Sequence, residues 1–237
     1  MSTLLLRLAG PMQSWGIQSR FEFRDTAMEP SKSGVVGLLC GALGRNRSES
    51  VDDLAALRMG VRVDREGTMM MDYHTAGGTH GRGEAYGVYM AGGKAPGTVV
   101  SRRYYLADAD FLVGLEGDDD LLRELDRALA QPRWQLYLGR KAFPPGVPVH
   151  IPDGLRVGAD LIARLTEYPW PRPGLRVPSS RLRPELLRLV LEADGSHGED
   201  ARRDQPVGAA FQDRRFLLRY VSTTFLELGT QVPVRED

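Results

Sequence analysis

Apolar and polar residues alternate along this chain with two different periods, and the periods predict a mixture of strands and helices. Short apolar or alternating runs of strand length occupy residues 3–9, 59–64, 68–73, 98–106, 109–115, 186–193 and 216–221. Apolar positions at helical spacing occupy residues 33–43, 50–58, 118–130 and 158–165. The order of these elements predicts an α+β fold whose first half is a βαββαβ unit with an insertion.

The helix expected over residues 33–43 has recognisable ends. Ser31 or Ser33 can cap its N-terminus, and Gly44 stands where a C-terminal glycine cap is expected. Two interior glycines, Gly37 and Gly41, each cost about 1 kcal/mol relative to alanine. They therefore predict that another backbone approaches closely, either a packed sheet or an RNA strand.

Three segments lack a regular period. Residues 75–97 contain eight glycines and no long apolar run, and such a segment in a compact domain is usually functional or mobile. Residues 137–148 are rich in glycine, proline and basic residues, which predicts an irregular connector. Residues 194–205 are polar, and we expect a loop between the last two strands.

Composition narrows the class of protein. Of the 237 residues, 42% are hydrophobic and 26% are charged, which excludes an intrinsically disordered chain. The longest mostly apolar run, residues 34–43, is too short for a membrane span, and we expect no signal peptide. A single cysteine, Cys40, excludes an internal disulfide framework and a cysteine-based zinc cluster. These features predict a cytoplasmic protein that does not associate with a membrane.

The charge is balanced overall but uneven along the chain. There are 31 basic and 31 acidic residues, which argues against a protein that coats nucleic acid unaided. Of the basic residues, 28 are arginine, which pairs with phosphate and stacks on bases. Residues 133–188 carry ten basic and four acidic side chains, a net charge of +6. Either a GC-rich genome explains the arginines, or a limited basic face contacts nucleic acid.

Two groups near the N-terminus have the residue types of a nucleic-acid site. Ser31, Lys32 and Ser33 open a helix, where free N–H groups and a cation can hold a phosphate, although the spacing is not that of a P-loop. An ordinary capped helix is the alternative. Aromatic residues interleaved with arginines suit a single-strand binding platform, or they pack in the core. These aromatic residues are Trp15, Phe21 and Phe23.

Two basic pairs follow the irregular segments. Arg102 and Arg103 precede two tyrosines, and Arg140 and Lys141 follow Tyr137 in the connector. Alternation along a strand would place one residue of each pair on a binding face and the other toward solvent or a partner. Solvated surface arginines are the alternative.

No catalytic signature stands out. His74 and His80 lie six residues apart without a cysteine or a paired carboxylate at ligand spacing, so neither a metal nor another cofactor is expected. A metal-free ribonuclease would need a general base such as His74 near a cation such as Lys94 or Arg103. These residues are present, but the sequence does not show whether they lie together.

Five motifs occur in a specific order. They are LRLAGPMQSWG at residues 6–16, PSKSG at 30–34, DYHT at 72–75, RYYLADA at 103–109 and YLGRK at 137–141. Together they closely resemble the CasD family, the RAMP-superfamily subunit of the subtype I-E CRISPR surveillance complex called Cascade. The resemblance is close over roughly residues 4–145 and looser beyond.

The resemblance implies a fold, a role and partners. It implies a ferredoxin-like (RRM-like) domain over residues 1–148, with a glycine-rich thumb at about residues 75–103, and a β-rich C-terminal region over residues 149–237. The implied role is a non-catalytic subunit that binds the 5′ handle of the CRISPR RNA and caps the backbone filament in antiviral defence. The implied protein partners are the large subunit CasA and the backbone subunit CasC, and target DNA is met only indirectly.

The RNA-binding residues implied by the resemblance come from these motifs and their immediate neighbours. They are Gln13, Ser14, Trp15, Ser31, Lys32, Ser33, His74, Arg102, Arg103, Tyr137, Arg140 and Lys141. Arg103 would grip the handle beside the thumb, and the last three would line its path. No catalytic residue and no metal ligand is expected.

Two other functions stay open. Related RAMP subunits of subtype I-C are similar and cut RNA, so a metal-independent endoribonuclease that processes CRISPR repeat RNA is the main alternative. The other is an α+β interaction domain that binds no nucleic acid.

Overall fold

The structure of the protein is a computed structural model, and it describes residues 1–18, 22–79, 85–88, 97–170, 184–193, 195 and 200–234. The strands are β1 (Ser2–Ala9), β2 (Met12–Gln13), β3 (Phe23–Arg24), β4 (Arg58–Arg65), β5 (Thr68–Ala76), β6 (Gly78–Thr79), β7 (Ala85–Tyr86), β8 (Val99–Ala107), β9 (Asp110–Gly117), β10 (His150–Arg156), β11 (Leu186–Ala193), β12 (Asp200–Pro206) and β13 (Phe216–Glu227). The helices are α1 (Lys32–Leu43), α2 (Asp52–Ala55), α3 (Asp119–Ala130), α4 (Leu161–Glu167) and α5 (Ala210–Asp213). The predictions made for Phe21, His80 and Lys94 concern residues outside the described ranges.

Seven strands form one sheet in the order β10-β1-β9-β4-β11-β13-β12, and every neighbouring pair is antiparallel. Successive residues of β1 point to opposite faces, so Leu4 and Leu6 enter one hydrophobic core while Leu5 enters the other. Helices α1 and α3 cover the first face, and α4 covers the second. The predicted α+β class is confirmed, and antiparallel strands dominate it. None of the described helices has the length and apolar character needed to cross a membrane.

Helix α1 begins and ends as the sequence predicts. The Ser31 side chain accepts a hydrogen bond from the Gly34 N–H at 3.3 Å, and Gly44 ends the helix in the left-handed conformation at φ +75°. No described protein backbone makes the approach predicted at Gly37 and Gly41, and the alternative of an RNA strand stays a prediction. A Cβ atom at either position would meet only side chains, at 3.6 Å, and no described backbone within 4 Å.

A long hairpin projects from the sheet between β4 and β9. Its strands β5 and β8 pair from Thr68 opposite Ala107 to Ala76 opposite Val99, so it begins seven residues before residue 75, where the glycine-rich segment begins. The other edge of β8 pairs with the short strands β2 and β3. Every residue of β5 up to Thr75 is exposed, and β8 is its one partner among the described strands.

The C-terminal part of the chain extends the sheet rather than looping around it. The loop predicted over residues 194–205 is wrong from residue 200 onward, because residues 200–206 form strand β12, which pairs with β13 at the sheet edge. Residue 194 and residues 196–199 of that prediction lie outside the described ranges. Charged residues in β12 misled the prediction, since their side chains make ion pairs inside the protein. Asp204 is 3% exposed and pairs with Arg219 at 2.8 Å. Strand β10, which no pattern indicated, pairs with β1 at the opposite edge.

Candidate nucleic-acid interface

Three arginines from separate segments gather beside the projecting hairpin. Arg24 on β3 pairs in register with Arg103 on β8. Arg140, from the irregular connector, donates a hydrogen bond to the Arg24 carbonyl oxygen at 3.2 Å. The pKa of Arg140 is lowered from its ordinary value, first by burial and then by the positive charges of Arg103 and Arg24. We call these three residues the basic cluster.

Aromatic rings border the basic cluster. The guanidinium of Arg140 lies 5.5 Å from the centre of the Phe143 ring, and that ring lies 5.9 Å from the ring of Tyr105. Arg102 precedes Arg103 on β8, and its guanidinium carbon lies 5.4 Å from the centre of the Phe23 ring. Phe23 is 50% exposed. Guanidinium groups beside the exposed Phe23 ring offer both phosphate pairing and base stacking.

The cations of this surface make few polar contacts within the protein. Within the described residues, Arg102, Arg103 and Arg140 form no ion pair with a carboxylate. Arg103 donates to the Ser101 hydroxyl at 2.9 Å, a neutral partner on its own strand. Asp72 lies opposite Arg103 in the register of the hairpin, and its ionic contact among the described residues is with His74 at 3.6 Å. The guanidinium charges are therefore left for an external anion.

The connector loop that carries Arg140 is anchored tightly to the core. Leu138 is fully buried, and its N–H donates to the Phe143 carbonyl oxygen at 2.7 Å. The Ser14 N–H donates to the Leu138 carbonyl oxygen at 3.1 Å. Gly139 has φ +86°, and a Cβ atom there would lie 1.7 Å from the Ser14 carbonyl oxygen. This anchoring leaves Tyr137 and Lys141 exposed on the outer side of the loop.

The three candidates from the first motif, Gln13, Ser14 and Trp15, are buried beneath this loop. Gln13 is fully buried, and its amide donates to the carbonyl oxygens of Leu8 at 3.0 Å and Ala109 at 2.8 Å. Its own amide oxygen accepts from the indole N–H of Trp15 at 3.2 Å. Ser14 is 4% exposed and donates to the Tyr104 carbonyl oxygen at 3.2 Å. These three candidates therefore hold the loop and the hairpin in place.

The helix start that was predicted to hold a phosphate is occupied by the protein itself. Lys32 is 2% exposed, and its ammonium group pairs with Glu192 at 2.8 Å. Its backbone N–H donates to Asp204 at 2.7 Å. Ser31 is buried as the helix cap, and Ser33 is half-buried. We correct the prediction for Ser31 and Lys32, because an anion from outside would have to displace the half-buried carboxylate of Glu192 and the buried carboxylate of Asp204.

His74 lies opposite Ser101 in the hairpin register, two residues along β8 from Arg103. It is exposed on β5, and its Nδ1 atom is 3.6 Å from Asp72. Lys94, the lysine considered as its partner, lies outside the described ranges. In the part of the chain that the structure describes, no three histidine, cysteine or acidic residues group as metal ligands.

Sequence reasoning left two residues of this region, Arg24 and the buried Phe143, out of the candidate set. Arg24 was noted only as one of the arginines among aromatic residues, and it lies outside the five motifs. Phe143 follows the YLGRK motif by two residues. Both were recognisable as neighbours of candidates, but only the fold shows that they meet.

Comparison with known proteins supports the resemblance. Residues 3–222 match the family described as CRISPR-associated protein (Cas_Cas5). The chain is 37% identical over 165 residues to the CRISPR system Cascade subunit CasD of Escherichia coli (strain K12). The aligned region covers 63% of this chain and 70% of that protein. The solved crystal structure of a Cas protein is similar with a TM-score of 0.74 at 46% identity, over 98% of this chain and 97% of that one. A chain of a CRISPR RNA-guided surveillance complex has a TM-score of 0.72 at 36% identity, over 97% of this chain and 92% of its own length.

These similarities agree with one another and with the order of the five motifs. The family match includes both the projecting hairpin and the basic cluster, and it extends into the last strand. The resemblance to CasD inferred from the sequence is confirmed. This chain belongs to the CRISPR-associated Cas5 family.

Proposed function

We propose that this chain is a non-catalytic, RNA-binding subunit of a Cascade-type CRISPR surveillance complex, and that it grips the 5′ handle of the CRISPR RNA. The basic cluster is the observation that carries the proposal. Relatives of the chain support its membership of such a complex, since one is named a Cascade subunit and another is a chain of an RNA-guided surveillance complex.

The energetics of the basic cluster favour a polyanion. Like charges held close together oppose one another, and here they outweigh the nearby carboxylates in their effect on the Arg140 pKa. A phosphate between the guanidinium groups would replace this repulsion by charge-assisted hydrogen bonds. Single-stranded RNA presents successive phosphates and unstacked bases, which suit the arginines and the adjoining rings of Phe23 and Tyr105. His74, Arg102, Tyr137 and Lys141 are the remaining exposed or rim candidates for this RNA path.

The exposed hairpin strand supports contacts with other subunits. Met69, Met70 and Met71 are each 46–47% exposed, and Tyr73 is 61% exposed. Contiguous apolar side chains on a soluble surface mark protein interfaces, and methionine adapts to irregular partner surfaces. We assign this strand to the contact with the backbone subunit CasC. As the cap of the backbone filament, the chain would also contact the large subunit CasA.

The strand order supports a ferredoxin-like domain. Strands β10, β1, β9 and β4 are neighbours in that order, and the chain runs β1, α1, β4, β9, α3, β10. In this βαββαβ unit, β10 is the fourth strand and lies beside the first strand, β1. The third strand, β9, lies between β1 and the second strand, β4. The projecting hairpin is inserted between the second and third strands, where the thumb is proposed.

Replacing Arg103 by alanine is expected to weaken binding of an RNA that carries the repeat-derived 5′ handle by roughly 10- to 150-fold. A charge-assisted hydrogen bond contributes about 1.5–3 kcal/mol, and each such step of about 1.4 kcal/mol is tenfold. The slope of log affinity against log salt should also fall by about 0.7, the value for one phosphate contact on a single strand. Filter binding at several salt concentrations measures both quantities.

The matched control is Arg123→Ala on α3, which removes an exposed arginine paired with Asp120. It should leave the affinity and the salt slope unchanged. An Arg103→Ala protein that binds handle RNA as the wild type does, with the same salt slope, would overturn the assignment of the basic cluster to RNA.

Repeat RNA is expected to stay intact when it is incubated with the purified chain in EDTA. The reason is that, among the described residues, the ring of the candidate base His74 makes no hydrogen bond, and its one ionic contact is with Asp72 at 3.6 Å. Gel analysis of end-labelled RNA measures cleavage. A specific product that disappears in His74→Ala would favour the ribonuclease and contradict a non-catalytic role.

A further inference from the structure

A groove on the α1 side of the sheet borders the proposed RNA contact, with which it shares Tyr137. It has a volume of about 430 Å³ and lies between α1, the segment from Trp134 to Gly139, and the region around α5. Leu38, Leu136, Phe211 and Phe216 supply much of its apolar lining. A groove of this size matches the volume of sites that bury a bound group rather than a packing defect.

Glycines on α1 keep the groove open. Gly37 and Gly41 lie in the interior of the helix, where glycine is disfavoured relative to alanine. Nothing within the described protein requires them, because an added Cβ atom would meet Phe211 or Leu136 only at an ordinary contact distance of 3.6 Å. Gly34 on the same helix differs, since a Cβ atom there would lie 2.7 Å from the Trp15 ring.

The charged residues that line the groove are all basic. Three arginines line it, and none of its lining residues is acidic. Arg45 is neutralised by Asp53, with which it makes hydrogen bonds of 2.5 and 2.6 Å. Arg47 and Arg214 make no ion pair with any carboxylate in the described ranges. Arg214 has a left-handed backbone with φ +53°, which is unfavourable for a residue with a side chain.

The apolar floor favours a protein segment over a nucleotide. A nucleobase carries several hydrogen-bonding groups on its edges, and burying them against leucine and phenylalanine would leave them unsatisfied. Apolar side chains of a peptide have no such groups, and carboxylates beside them would complement the arginines. Asn46 and Gln135 line the same groove and can hydrogen-bond a peptide backbone.

We propose that this groove binds an acidic segment of another protein subunit of the complex, with bulky apolar side chains on the glycine floor and carboxylates at Arg47 and Arg214. The inference rests on the proposed function, because it needs a multi-subunit complex. The groove also includes Tyr137 and Gly139, so its occupant would border the loop that carries the basic cluster.

Two variants test the groove without damaging the fold. Gly37→Leu fills the floor and raises helix propensity. Arg214→Gly removes a charge and suits the left-handed backbone. Each is expected to keep or raise the melting temperature, to reduce at least tenfold the affinity of the chain for one other subunit in the reconstituted complex, and to leave handle RNA affinity unchanged. Arg156→Ala, which removes an exposed arginine on β10 at the other end of the sheet, is the control and should change none of these.

Photocrosslinking identifies the occupant directly. A benzoylphenylalanine at position 135, on the groove wall, is expected to crosslink in the assembled complex to an acidic peptide of one other subunit, mapped by mass spectrometry. A crosslink to RNA, or loss of RNA affinity in Gly37→Leu with assembly intact, would assign the groove to a nucleotide and overturn the inference. Normal assembly of both variants without any crosslink would overturn it too. These outcomes do not test the proposed function, which is tested by the RNA affinity of Arg103→Ala and the salt dependence of that affinity.

Discussion

Replacing Asp204 by alanine is expected to destabilise the fold by about 3–5 kcal/mol, because it leaves a buried guanidinium without its partner. Asp204 accepts two hydrogen bonds from Arg219, at 3.0 and 2.8 Å, and one from the first N–H of α1 at 2.7 Å. The carboxylate thus joins strands β12 and β13 to the helix that begins 172 residues earlier in the chain. For a protein of this size the loss corresponds to a fall in melting temperature of roughly 6–20 °C.

Asp200→Ala is the matched control for this prediction. Asp200 lies on the same strand, its side chain is 59% exposed, and its contact with Arg202 is long at 3.5 Å. Exposed pairs of this kind contribute roughly 0–1 kcal/mol, so the control should melt close to the wild type. Equal melting temperatures for the two variants in a calorimetric scan would contradict the role given to Asp204.

Gly139→Ala is expected to both destabilise the protein and weaken RNA binding. The left-handed conformation at φ +86° costs a residue with a side chain about 1–2 kcal/mol. The added methyl group would also lie 1.7 Å from the Ser14 carbonyl oxygen, and forcing such contacts costs roughly 1–3 kcal/mol more. The loop must move to relieve the clash, and Tyr137, Arg140 and Lys141 move with it.

Gly158→Ala separates the two contributions. Gly158 has φ +70° but nothing within 4 Å of an added Cβ atom, so this variant carries the backbone cost alone. Thermal unfolding and filter binding of the two variants are to be compared. We expect the lower melting temperature and the loss of RNA affinity in Gly139→Ala only. Identical behaviour would show that the contact with Ser14 does not position the loop.

Local signals in the sequence were sufficient for the elements of the first half. The caps of α1 at Ser31 and Gly44, and the aspartate that caps α3 at Asp118, act within one helical turn, so they can be recognised from neighbouring residues. The apolar alternation of β1, β4, β8 and β9 is also local, and these strands lie within one or two residues of their predicted bounds. The predicted helix over residues 50–58 is shorter, because only Asp52–Ala55 is helical before β4 begins.

Long-range pairing explains most of what the sequence did not show. Lys32 has the residue type of a phosphate ligand, but Glu192 and Asp204, far along the chain, neutralise it and its helix start. The charged strand β12 reads as a polar loop for the same reason. Arg24, Arg103 and Arg140 belong to three separate segments, so their juxtaposition depends on the pairing of β3 with β8 and on the anchored loop. The family motifs identified Arg103 and Arg140 as candidates from the sequence, but not Arg24.

Strand β5 has a consequence for how the chain behaves before assembly. An edge strand that is exposed along most of its length, with three consecutive methionines and no second partner among the described strands, is a template for a second copy of itself. Unassembled chains are therefore prone to stack edge to edge and precipitate as their concentration rises. Synthesis in proportion to the other subunits would keep this exposed edge strand covered by a partner. Chains made in excess would aggregate or be degraded.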